Sequence, residues 1–240
     1  MWKSDNDSED RTAASIPLQQ SCFIQYREAE EFRQEVRRDP EASAAEVRQI
    51  VRALKAALKD AEEALRELCD CCAENANAYA KEIRTFANGL QVGLFAGEDG
   101  EEDLLRFART LSRARPYELS LREGIACMTG ILRDLSELRL PAKRAEVICR
   151  MMEQTDGTKA LLKKVSQATG SAKDLYQRLL TFRDLLLPFV QKTLPAFLKR
   201  SKELTDLEGN GAHARPGGLR SLCGEVCYAA EEFARACGNV

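Results

Sequence analysis

The chain has 240 residues, 44% hydrophobic and 31% charged, which is enough apolar material for a packed core and too much for a disordered chain. A net charge of −2 argues against a dedicated nucleic-acid binder, which normally shows a strongly basic domain. Nine cysteines without a secretory leader point to reduced thiols in a cytoplasmic protein, and no stretch reaches the roughly 18 uncharged apolar residues that a membrane span needs.

Residues 1–20 are polar and acidic at the start and read as a disordered tail. Tyr26, Ala29, Phe32 and Val36 step by three, three and four, so the spacing predicts a short helix over 23–38. It must stop before Pro40, because the residue preceding a proline is pushed out of helical geometry. Asp39 can then cap the free N–H groups of a new helix, with Pro40 in the first turn where its missing N–H costs nothing.

That new helix is the dominant element. Val47, Val51, Leu54, Leu58, Ala61, Leu65, Leu68 and Cys72 alternate steps of four and three, and Ala76, Tyr79, Ile83, Phe86 and Leu90 continue the seam after one four-four stutter. Gly89 marks the end, which makes an element of roughly 75 Å at about 1.5 Å per residue. A stripe this long needs other helices to cover it.

Closely spaced glycines at 89, 93, 97 and 100 break the pattern. The acids Glu101, Glu102 and Asp103 suit the first turn of the next helix, predicted to run to Arg115 and to be interrupted or kinked at Pro116. A following helix over 117–138 carries Leu121, Ile125, Met128, Leu132 and Leu135, and Pro141 separates it from a shorter piece containing Val147, Ile148, Met151 and Met152. Thr158 or a neighbour should cap a helix ending at Gly170, where Ser171 and Asp174 resemble a capping box that opens another.

The helix expected over 171–207 is the most apolar, with Leu175, Leu179, Phe182, Leu186, Val190, Leu194 and Phe197 on one face. Pro188 and Pro195 lie seven residues apart within it, so their kinks should bend the same way. Residues 208–218, with four glycines and the only histidine, His213, read as a flexible linker, and a last helix over 219–240 packs Leu219, Leu222, Val226 and Phe233 on the bundle formed by 21–207.

The expected fold is all-α, an elongated helical bundle with long coiled-coil-like helices. Among the cysteines, Cys69, Cys72, Cys223 and Cys227 are spaced so that two helices could close a thiolate zinc site, but usual zinc spacings belong to turns, and buried free thiols are the simpler expectation. Cysteine chemistry would need a base, and His213 sits in the glycine-rich segment. No phosphate loop, dinucleotide fingerprint or HExxH sequence occurs, and the acidic run at 98–103 lacks the ligand order of a calcium loop. The expectation is therefore a protein that is not an enzyme and carries no metal or cofactor.

Function is expected to be helix pairing with a protein partner or a second copy, through the seam residues Val47, Val51, Leu54, Leu58, Leu65 and Leu68. The alternative is a peripheral protein on an anionic membrane surface, using Phe182, Leu186 and Phe189 with the basic residues Lys199, Arg200 and Lys202. No nucleic-acid partner is expected. Residues 1–100 hold 13 Lys and Arg against 20 Asp and Glu and the remainder 23 against 18, a complementarity that fits acidic helices packed beside basic ones.

Overall fold

The computed structural model describes residues 29–90, 100–206 and 216–240, and helix is the only regular structure among them. The order is α1 (29–38), α2 (Pro40–Gly89), α3 (Gly100–Glu137), α4 (Arg139–Met151), α5 (Asp156–Pro188), a π-helical segment (Phe189–Thr193), α6 (Leu194–Asp206) and α7 (Pro216–Cys237). The chain is an all-α bundle of long helices packed against one another. The expected tail over 1–20, the expected helix start over 23–28, the expected break over 91–99 and residues 208–215 of the expected linker lie outside the described residues, while residues 216–218 of that linker open α7.

Local chemistry accounts for α2 as anticipated. The Ala42 N–H donates to Asp39 Oδ1 at 2.9 Å, closing the N-terminus with a cap of the kind that contributes about 1 kcal/mol. Its seam is buried from Val47 through Leu90, apart from a partly exposed Ala61.

Two expected breaks are absent. Pro116 lies inside α3, which continues without interruption to Glu137. Pro116 and Ser112, whose carbonyl the proline frees, are both exposed, so water can satisfy the group the helix loses. Gly170 and Ser171 likewise lie within α5, whose buried stripe of Leu161, Val165 and Ala168 resumes beyond them at Leu175, Leu179, Phe182 and Leu186, with Ala172 half-buried between. Burial of that stripe outweighs the roughly 1 kcal/mol that a helical glycine costs. The α5 cap sits three residues earlier than anticipated: Thr155 Oγ1 accepts from the Thr158 N–H at 3.3 Å and lies 2.9 Å from the Thr158 hydroxyl.

The paired prolines have a local outcome. Between Pro188 and Pro195 the helix widens into the π-helical segment, with the Leu194 N–H bonded to the Phe189 carbonyl. A proline that cannot donate to a carbonyl four residues back favours such a change of hydrogen-bond step.

Two compact units divide the chain, one formed by Met1–Lys55 with Arg139–Thr169 and the other by Ala56–Leu138 with Gly170–Val240. The boundary crosses α2 and α5 and also passes between α3 and α4. In the first unit, Val36, Val47 and Val51 pack with Ala145, Ile148 and Val165. In the second, Tyr79, Leu121, Leu179, Phe182 and Leu186 are fully buried, and the Phe189 and Phe233 rings stack at 4.7 Å. Gly124 of α3 faces α2 closely enough that a Cβ there would lie 2.9 Å from Cys72 Sγ.

Candidate interaction groove

In the first unit the core face of each helix is filled, and a second, flanking face remains apolar. Val36 of α1 points inward while Phe32, one turn earlier, is only partly covered. On α2, Val47 and Val51 take the core while Glu46 and Ile50 occupy the adjoining flank. On α4, Ala142, Ala145, Ile148 and Cys149 are buried, which leaves Leu140, Lys143, Arg144 and Val147 on the neighbouring face.

These flanks border a groove of 710 Å³ lined by Phe32, Glu46, Ile50, Leu140, Pro141, Lys143, Arg144 and Val147. Leu140 is 76% exposed, more than any other large hydrophobic side chain among the described residues. Pro141 is accommodated because it falls in the first turn of α4, where its missing N–H breaks no helical bond.

Arg144 ties the three helices together. Its Nε donates to Glu46 Oε1 at 2.6 Å, and its guanidinium lies 5.3 Å from the centre of the Phe32 ring. Both partners of the ion pair are substantially exposed, so the pair orients more than it stabilises. Glu46 in turn raises the pKa of Arg144, by hydrogen bonding first and by charge second.

The seam residues expected to pair with a partner do not line this groove. Val47, Val51, Leu54, Leu58, Leu65 and Leu68 are all buried within the chain's own core, so in this fold they have no free face to offer another protein. Phe182, Leu186 and Phe189 are buried as well, and membrane insertion through them would require the second unit to open. Of the basic residues, Lys199 pairs with Glu203 at 3.8 Å and Arg200 with Glu225 at 3.0 Å, while Lys202 is exposed. Among the described residues no helix is long and apolar enough to cross a membrane.

The chain matches no known protein family, characterised protein or solved structure. Functional assignment therefore rests on the side chains.

Cys69, Cys72, Cys223 and Cys227 are buried free thiols, the simpler of the two expectations. Cys72 is influenced by Cys237, Cys71, Cys69 and Cys127, whereas Cys223 is influenced by Cys227. Cys69 and Cys72 thus neighbour Cys237, a residue that helix spacing did not single out. Among the described residues no group of three or more His, Cys, Asp or Glu side chains is placed to hold a metal ion. Burial is the first cause of the raised pKa of Cys69, Cys72, Cys149, Cys223, Cys227 and Cys237, so these thiols are poor nucleophiles.

One buried polar pair was not legible at all. Glu118 is 3% exposed and accepts two hydrogen bonds from Arg122, at 3.0 and 2.8 Å. The Tyr79 hydroxyl is buried and has no hydrogen-bond partner among the described residues, and desolvation, followed by the Glu118 charge, raises its pKa. A stranded hydroxyl costs about 1–3 kcal/mol, so Tyr79→Phe is expected to stabilise the protein by about 1 kcal/mol. A urea titration checks this; destabilisation of similar size would mean that the hydroxyl has a partner.

Proposed function

We propose that the protein is a non-catalytic helical interaction module whose docking surface is the groove of its first unit. The observation that supports this reading most directly is Leu140, which stands 76% exposed over an apolar groove in a chain whose long seam is otherwise consumed by its own core. Exposing a large aliphatic side chain beside Ile50, Val147 and Phe32 forgoes burial that would contribute about 1.5–3 kcal/mol.

Site-specific photo-crosslinking tests the reading. A benzophenone side chain at position 140 is expected to form discrete protein adducts in a cell extract, whereas the same group at the exposed position 59 of α2 is not. Equal labelling at both positions, or adducts with lipid alone, would refute the assignment.

A further inference from the structure

We infer that the groove of the first unit takes an acidic amphipathic helix, its apolar stripe seated on Ile50, Leu140 and Val147 and its carboxylates facing Arg139 and Lys143. This inference rests on the interaction reading above and adds the chemistry of the partner.

The shape of the site favours a helix. Leu140 and Val147 are two turns apart on one face of α4, about 10 Å along the axis, and Ile50 faces them across the groove. An entering helix with apolar residues at positions i, i+3 or i+4, and i+7 presents anchors at that spacing. An extended peptide would draw its affinity from backbone pairing at a sheet edge, and no strand occurs among the described residues. A small molecule would need enclosure and a few convergent polar groups, whereas this groove lies open along Leu140.

Charge selects the sign of the partner. Helix α4 carries Arg139, Lys143, Arg144 and Arg150 against a single acid, Glu146. Arg144 is committed to Glu46 and Arg150 to Glu146. Among the described residues Arg139 and Lys143 have no ion-pair partner, and they lie one turn apart beside Leu140. The one acid lining the groove, Glu46, is already neutralised by Arg144. Glu35 of α1 also acts on Arg144, so the positive charge left to a partner at the rim is that of Arg139 and Lys143. Exposed ion pairs add little to affinity, so the apolar stripe supplies most of it and the lysine and arginine set which partner is accepted.

The test uses three fluorescein-labelled synthetic helices of about 18 residues, long enough to hold helical structure, added to the full chain and read by anisotropy. The first has a leucine stripe on a glutamate background, the second the same stripe on lysine, and the third an alanine stripe on glutamate. The leucine–glutamate helix is expected to bind at least about tenfold more tightly than either other, and Leu140→Asp to weaken it by at least about tenfold. Because Leu140 is exposed, this variant should keep the parent melting curve, which circular dichroism verifies. Combined Arg139→Glu and Lys143→Glu substitution is expected to reverse the preference toward the lysine helix.

Binding of both leucine helices with equal strength, abolished by Leu140→Asp, would overturn the acidic partner and leave the groove assignment standing. Equal binding of the alanine helix would overturn it too, as mere charge attraction. Leu140-dependent flotation with anionic vesicles, or a dimer dissolved by Leu140→Asp, would overturn both readings in favour of a lipid surface or a second copy.

Discussion

Above pH 9 the protein is expected to lose stability steeply, and to unfold before the pH reaches that of its most perturbed thiols. Burial raises Cys69 and Cys227 to about 11 and Cys72, Cys223 and Cys237 to about 12, from an ordinary value of 9.0. Once the pH exceeds 9 the unfolded chain releases thiol protons that the folded chain retains. The folded state then binds more protons, so stability falls as pH rises. The contribution is fully present below about pH 9 and is lost progressively toward pH 11–12, each thiol weighing on the order of 1.4 kcal/mol per pH unit across its own window. Several such groups together match the entire stability of an ordinary domain, about 5–15 kcal/mol. Urea titrations of the reduced protein at pH 8, 9, 10 and 10.5 check this. Cys72→Ala with Cys223→Ala should flatten the decline, and an unchanged slope in that variant would show that other groups cause it.

The second large effect separates the two original uses of the α5 and π-helical region. Phe182 is 0% exposed, and Phe182→Ala is expected to cost about 3–5 kcal/mol through lost burial and the cavity left behind. By contrast, Lys199→Glu and Lys202→Glu alter exposed side chains and should each stay within about 0.5 kcal/mol. Denaturant midpoints measure both, alongside flotation of the wild-type protein with anionic and neutral vesicles. Were Phe182 a membrane anchor, its loss would leave stability intact and abolish flotation with anionic vesicles. The buried position calls for the opposite result, with no flotation and a large fall in midpoint.

Comparing these elements shows where sequence was a sufficient guide. The bounds of α2 were readable because Asp39, Pro40 and Gly89 act on the backbone within a residue or two of themselves. At Gly170 and Ser171 equally local signals misled, because the buried stripe that begins at Leu161 resumes beyond them and runs to Leu186, and tertiary burial outweighs a weak cap. The identity of the seam on α2 was legible, but its occupant was not: periodicity reports that a stripe is covered and is silent on whether the covering helix belongs to the same chain. Leu140 gave no signal, since a leucine beside a proline in a short helix looks the same whether covered or bare. Its exposure depends on how Ala142, Ala145 and Ile148 orient α4, which only the assembled unit defines.

The interleaved make-up of the two units also dictates an order of events as the chain is synthesised. Residues up to Lys55 must wait for Arg139–Thr169 before the first unit is complete, and Ala56–Leu138 must wait for Gly170 onward before the second is. A nascent chain halted at Leu138 would hold a fragment of each and the whole of neither, with the seam from Val47 to Leu90 still short of α5. Apolar surface that the finished protein hides is therefore bare through much of translation, and neither unit can be excised by a single cut.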